Sequence, residues 1–255
     1  MLKKSCMQSG NLFMQQAQEI KEFASKVIEI VNETPTVKSF KVDIPRGMEI
    51  NFHPGQFFMV SFPDNTEIKT SRAYSISSSP LQKSYLEIAL NKVGPFTTEM
   101  FKMEENGLLK FKGPYGKFHF NEEMKNDLVL IAGGTGITPL ISIMRFCSEK
   151  KLQNKITFFY SVKNSEEIIF HEEIKRLKDA NHNFRYYITI TRPEEHHEWE
   201  GRTGRIDFDL LKDQIESPED KIYFLCGSKE FVENIVSMLS QLNVKREHIK
   251  TDVWG

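Results

Sequence analysis

Apolar and polar positions alternate in short runs through the first half of the chain. Lys26-Val-Ile-Glu-Ile-Val31 and Val37-Lys-Ser-Phe-Lys-Val-Asp-Ile44 alternate in part, with Thr34-Pro35 between them. Phe57-Phe-Met-Val-Ser-Phe62 follows the turn signal His53-Pro54-Gly55, and Tyr85-Leu-Glu-Ile-Ala-Leu90 alternates again. Leu108-Leu-Lys-Phe111 leads into Gly113-Pro114-Tyr115-Gly116. Several short strands at this spacing predict an antiparallel, Greek-key-like barrel or a sandwich. One helix, Thr97 to Met103, interrupts them.

The second half changes period. Four apolar runs begin at Leu128, Ile156, Tyr186 and Ile222, roughly 30 residues apart, which is what a strand–helix–strand unit needs. Between them Ile137, Leu140, Ile141 and Met144 repeat at helical spacing. Phe170, Ile174 and Leu177 do so too, as do Val232, Ile235, Val236 and Leu239. Continuous apolar strands alternating with amphipathic helices predict an α/β parallel sheet covered on both faces. The polar stretch Asn121 to Asn126 marks the join. The reading is therefore two domains, at 23–122 and 123–255, with residues 1–22 an unassigned N-terminal extension.

Composition narrows the classes. The chain has 255 residues, 34 Lys plus Arg against 35 Asp plus Glu, a net charge of -1, and 39% hydrophobic residues. Near-neutral charge gives no pull toward nucleic acid, and the apolar content argues against disorder. No apolar run approaches the ~20 residues of a membrane span, and the N-terminus carries no secretory signal. Cys6, Cys147 and Cys226 are too scattered for a disulfide framework, a structural zinc site or a four-cysteine iron–sulfur cluster. A cytoplasmic protein is expected. His196-His197, among Glu194, Glu195 and Glu198, lacks the spacing of a helical metal site, so no metal is expected.

Ligands of open parallel sheets sit beyond the strands' carboxyl ends. There lies Ala132-Gly-Gly-Thr-Gly-Ile-Thr-Pro139, where glycines permit close backbone approach and helix-start N–H groups favour an anion. Three glycines exceed what a tight turn needs, and Pro139 suits the first helical turn. Cys226-Gly227 ends the last apolar run; a lone cysteine there is most often core. In the first half, alternation puts Arg72 and Tyr74 of Ser71-Arg-Ala-Tyr-Ser75 on one face. They suit either a flat ring with a phosphate tail or a surface cation–π pair. Gly94-Pro-Phe-Thr97-Thr98 offers a second anion site or an ordinary helix cap.

In this order, Arg72-x-Tyr74-Ser75, Gly94-x-x-Thr97, Gly133-Gly-Thr-Gly-Ile-Thr-Pro139 and Cys226-Gly227 resemble the ferredoxin–NADP reductase superfamily. His53-Pro-Gly-Gln-Phe57 and Thr203-Gly-Arg-Ile206 also fit, so the resemblance spans roughly residues 24 to 255. It implies an antiparallel flavin-binding barrel followed by a nicotinamide-nucleotide domain, with FAD bound and NADPH or NADH as substrate. By the resemblance, Arg72 pairs with the pyrophosphate, Tyr74 lies against the flavin ring with Ala73 beside it, and Ser75 reaches flavin N5. Ile88, Leu90 and Asn91 line the cofactor through the backbone. Gly94, Phe96, Thr97 and Thr98 cap its pyrophosphate. Gly133, Gly134, Thr135, Gly136, Thr138 and Pro139 hold the dinucleotide. Cys226 and Gly227 sit by the nicotinamide, and Trp254 of Asp252-Val-Trp254-Gly255 covers the flavin. The plainer alternative for Trp254 is core packing. Ser228 where many relatives have Pro, and Thr97 in place of the commoner Ser, are mild departures.

The expected reaction is hydride transfer from NAD(P)H to FAD, then electron transfer to a separate acceptor such as a ferredoxin, flavodoxin or haem protein. Ser75, Cys226 and Trp254 are the expected catalytic set. Lys163, Arg192 and Arg202 are candidates for a 2′-phosphate and give a slight lean to NADPH. Rival readings are a reductase of free flavin, the electron-transfer subunit of a dihydroorotate dehydrogenase, disfavoured because its C-terminal cysteine cluster is absent, and a non-enzymatic nucleotide sensor on the same fold.

Overall fold

The computed structural model describes residues 19–64, 67–193 and 199–254. Six strands build the first half: β1 (Lys21–Thr34), β2 (Val37–Asp43), β3 (Phe57–Ser61), β4 (Arg72–Ser75), β5 (Tyr85–Asn91) and β6 (Leu108–Tyr115). They form an antiparallel sheet in the order β4-β3-β6-β1-β2-β5. An isolated Ile76–Ile88 bridge and the Ser77 N–H donating to the Glu87 carbonyl at 2.7 Å nearly close it into a barrel. Val27, Phe40, Phe58, Val60, Ile88, Leu109 and Phe111 fill the interior. Helix α1 (Pro95–Lys102) adds Phe96 and Met100 to that core.

The first strand starts earlier than Lys26. Lys21 and Glu22, expected in the extension, pair with Gly113 and Lys112 of β6. Phe23, Ser25 and Val27 point inward while Glu22, Ala24 and Lys26 face out. The alternation is genuine, but Ser inside and Ala outside hide it from a hydropathy reading.

The second half is a wholly parallel sheet of β7 (Leu128–Gly133), β8 (Ile156–Val162), β9 (Phe184–Ile190), β10 (Arg202–Thr203), β11 (Ile222–Ser228) and β12 (Ile249–Trp254). Their order is β10-β9-β8-β7-β11-β12. Helices α2 (Ile137–Glu149) and α3 (His171–Ala180) cover one face; α4 (Phe208–Gln214) and α5 (Lys229–Gln241) cover the other. Leu128 to Ala132 are all buried, which is why that strand reads as a continuous apolar run.

An aromatic seam joins the halves. Phe118 and Phe120, just past β6, meet the Phe224 ring edge-on at 5.4 and 6.5 Å, and Phe120 also meets Phe146 at 6.3 Å. Each such ring buried contributes about 1.5–3 kcal/mol. Gly55, at φ +104°, lets the His53–Gln56 turn lie against this segment, since a Cβ there would stand 2.7 Å from the Phe118 carbonyl oxygen. Among the described residues no helix is long and apolar enough to cross a membrane.

Candidate functional site

Strand order reverses between β7 and β11, so a crevice opens at their carboxyl ends, facing the barrel. Two cavities occupy it. One, of about 600 Å³, runs along β4 and β5 to Cys226, Asp252 and Trp254. The other, of about 430 Å³, runs over Gly133 to Thr135 toward Lys163 and Thr191. Asn91, Val93, Thr135 and Trp254 line both, so the two hollows are one cleft with two arms. The sizes suit small-molecule ligands.

On the barrel side, Arg72, Ala73, Tyr74 and Ser75 all line the first arm. The Arg72 guanidinium lies 6.0 Å from the Phe96 ring centroid and, among the described residues, bonds only the Ser71 carbonyl, at 2.9 Å. That puts a cation beside the first turn of α1, whose opening N–H groups lack intrahelical acceptors. Tyr74 packs on Phe96 at 6.0 Å, and burial pushes its phenol up to about 12, so it is neutral. Leu90, Asn91 and Thr97 also line this arm, whereas Ile88 and Phe96 are in the barrel core. The Thr97 hydroxyl accepts from the Val93 and Gly94 N–H groups at 2.8 and 3.0 Å, tightening the turn instead of facing a ligand. Thr98 N–H is spent on the Gly94 carbonyl. Gly94 itself is extended, and the space a Cβ would fill is open.

The glycines of 133–136 divide by purpose. Gly136 is packing: a Cβ there would sit 2.1 Å from the Cys226 carbonyl oxygen. Gly133 and Gly227 both make room for the Phe231 ring, at 3.2 and 2.6 Å from the would-be Cβ atoms. Gly134, with φ +54° and open space around it, alone pairs a left-handed backbone with a free approach. Its carbonyl accepts from the buried Tyr160 hydroxyl at 3.0 Å and from the Ile137 N–H. Thr138 donates to the Thr135 carbonyl at 3.0 Å and lines the first arm; Pro139 is buried in the first turn of α2. The Gly134 and Thr135 carbonyls are thus consumed inside the protein, and the helix start that follows favours an anion.

Cys226 and Asp252 are neighbours across β11 and β12, with the thiol 3.9 Å from the carboxylate. Burial, then the Asp252 charge, holds the thiol well above its usual range; burial likewise raises the Asp252 carboxyl. Trp254 is 44% exposed at the mouth shared by both arms, not packed in a core. Among the basic candidates Lys163 lines the second arm, together with Glu167. Arg192 is exposed and outside the lining, and Arg202 is paired with Asp207. His196-His197 lie outside the described residues; among the described residues no group of three metal-ligating side chains exists. Tyr160 and Phe231 belong to the site although no motif marked them, and Asp252 belongs to it although the terminal segment was read for Trp254 alone.

These groups fit FAD. The Arg72 guanidinium and a helix start converge at one end, a neutral phenol and apolar side chains form a wall, and Ser75 lines the arm with no side-chain bond among the described residues.

Comparison with known proteins agrees. Residues 24–120 match the family described as oxidoreductase FAD-binding domain, and residues 130–237 match the oxidoreductase NAD-binding domain. A subunit of the Na(+)-translocating NADH-quinone reductase of Pseudoalteromonas atlantica is 24% identical over 92% of this chain and 68% of its own. The Marinomonas counterpart is 28% identical over 89% and 58%. The FAD/NAD binding domain of nitric oxide dioxygenase from Vibrio cholerae superposes with TM-score 0.80 at 21% identity, covering 91% of this chain and 98% of that one. A ferredoxin NADP+ reductase from Neisseria gonorrhoeae with bound FAD and NADP gives 0.76 at 24% identity, covering 91% and 98%. With the barrel, the parallel sheet and the cleft between them, both domain matches make this chain a member of the ferredoxin–NADP reductase superfamily, an oxidoreductase that binds FAD and a nicotinamide dinucleotide.

Proposed function

We propose that FAD lies along the barrel arm, that a dihydronicotinamide dinucleotide enters the sheet arm, and that the electrons leave to a separate acceptor protein. The observation that carries this reading is the shared lining of Asn91, Val93, Thr135 and Trp254, because ligands in the two arms must meet there. Bound FAD supplies the chemistry, taking up a hydride and giving up electrons singly or in pairs.

The chain's own residues bind and orient. Arg72 and the start of α1 hold the FAD pyrophosphate. The neutral Tyr74 phenol packs along the flavin, and Ser75 donates a hydrogen bond to its ring nitrogen. Gly134, Thr135 and the start of α2 hold the dinucleotide phosphates. Cys226 keeps its proton, so it is a soft neutral wall for the nicotinamide and not a nucleophile. Trp254 covers the shared mouth and gives way to the nicotinamide, which also shields the reacting atoms from water.

The donor is NADH in preference to NADPH. With Arg192 and Arg202 out of the lining, Lys163 is the one of the three candidates left there, and the Glu167 carboxylate in the same lining disfavours a 2′-phosphate. This reverses the lean drawn from sequence alone. Relatives named as quinone reductase subunits and a neighbour named as a ferredoxin reductase support a separate acceptor. A ferredoxin, a flavodoxin or a haem protein fits that role. The free thiols of Cys147 and Cys226 fit the reducing cytoplasm.

The test is anaerobic titration of the purified yellow protein. NADH should bleach the flavin absorbance, with catalytic efficiency at least equal to that with NADPH. A protein that does not retain FAD, or bound FAD that neither nucleotide reduces, would refute the reading.

A further inference from the structure

Helix α2 spans from one cofactor arm to the strand that faces the other. It continues directly from the Gly134–Gly136 turn, and its Thr138 lines the barrel arm. Further along, the same helix is fastened to three consecutive barrel residues, Ser77, Ser78 and Ser79. Only Ile76 separates these from β4, which carries Arg72, Tyr74 and Ser75.

The fastening is polar and specific. The Ser142 hydroxyl donates to the Ser78 carbonyl at 2.7 Å. Arg145 Nη1 donates to the Ser77 carbonyl at 2.7 Å and to the Glu87 carboxylate. The Ser79 hydroxyl donates to Glu149. The other edge of Arg145 is bidentate on Glu173 of α3, with Nε–Oε1 at 2.7 Å and Nη2–Oε2 at 2.5 Å. Ser142, Arg145 and Glu149 stand at i, i+3 and i+7, on one helix face. The side chains of Arg145 and Glu87 are only 14% and 5% exposed.

Buried charge networks are poor sources of stability, since apolar packing of similar volume often does as well. What such a network supplies through its directional hydrogen bonds is one relative placement of the parts it joins. Here the parts are the flavin-facing strand and the helix that carries the dinucleotide turn. We propose that Arg145 is a positioning residue for hydride transfer, holding β4 and the 133–138 segment at one separation. The proposal rests on the two-cofactor reading above. Arg145 lies outside the lining of both arms. Its loss therefore leaves both ligands bound and relaxes only their mutual placement. Misplacement by about 1 Å can cost roughly a hundredfold in rate.

The test compares the full FAD-loaded chain with Arg145→Met and Arg145→Lys by anaerobic stopped-flow reduction with NADH. Failure of wild type to be reduced would sink the two-cofactor reading; the comparison of variants addresses Arg145 alone. Arg145→Met should keep the wild-type flavin content and half-saturating NADH concentration within about twofold, while the limiting reduction rate falls about tenfold or more. Arg145→Lys should recover part of that rate. Hydrogen exchange gives a readout independent of turnover. In the flavin-free chain, Arg145→Met should lose protection in residues 76–79 and 137–149, with β8 and β9 unchanged. A folded Arg145→Met with a wild-type limiting rate, or one whose loss follows loss of flavin, overturns the proposal. Should that variant not fold, Ser142→Ala combined with Glu149→Ala removes the outer fastenings and keeps the buried charges paired. It should show a several-fold lower limiting rate at unchanged half-saturation, and an unchanged rate overturns the proposal.

Discussion

Tyr160 works through an oxygen that never meets solvent. Its hydroxyl donates to the Gly134 carbonyl at 3.0 Å and accepts from the Ile169 N–H at 3.4 Å, so it holds down the turn that lines the sheet arm. Tyr160→Phe removes both hydrogen bonds; the one to the Gly134 carbonyl, worth about 1 kcal/mol net, steadies the turn, so NADH binding should weaken about fivefold at unchanged flavin content. Nucleotide titration of the loaded variant checks this. The cysteines give a second prediction. Burial raises Cys147 to about 12 and takes Cys226 well above 9, so folding keeps both thiols protonated where the unfolded chain would ionise them. Stability from these thiols is therefore present below the unfolded thiol value, about 8.5, and is lost as pH rises toward the folded values. Alkylation followed by peptide mapping at about pH 8.5 should leave Cys147 and Cys226 unlabelled in the folded protein and label both after unfolding. Arg72 and Tyr74 were legible because strand alternation set them on one face beside a hydroxyl. Tyr160 and Phe231 were not, because a buried aromatic in an apolar run or helix gives no sign of which backbone it touches.

The 133–139 segment shows how an element conceals its reasons. Three close glycines suggested one purpose, room for a phosphate, yet Gly136 is demanded by β11 and Gly133 by Phe231. Gly136→Ala meets a backbone oxygen at 2.1 Å that cannot yield, so the turn must shift, at about 1–3 kcal/mol. Gly134→Ala has open space and bears only its left-handed backbone, about 1–2 kcal/mol. Thermal midpoints should fall for both variants, further for Gly136→Ala, and NADH binding should suffer in each. Strands with continuous apolar runs were readable. The edge strand β12 was not: Ile249-Lys-Thr-Asp-Val-Trp254 is half exposed and has no apolar run, although it delivers Asp252 and Trp254 to the cleft. The two-residue β10 is below what any periodicity can register.

At the scale of the molecule, the change from period two to strand–helix alternation announced two halves, but nothing along the chain announced how they meet. Glu87, Arg145 and Glu173 are far apart in sequence, and each reads alone as an ordinary surface charge. Phe118 and Phe120 read as loop aromatics until Phe146 and Phe224 are seen opposite them. That seam governs dissection. Cutting the polypeptide between Phe120 and Leu128 would bare a matching greasy face on each fragment. Made separately, the fragments should clump, by light scattering, even with their sheets intact; made together, they should find one another and stay dispersed. Anyone wishing to graft either half onto a foreign protein would first have to repaint that face with polar side chains.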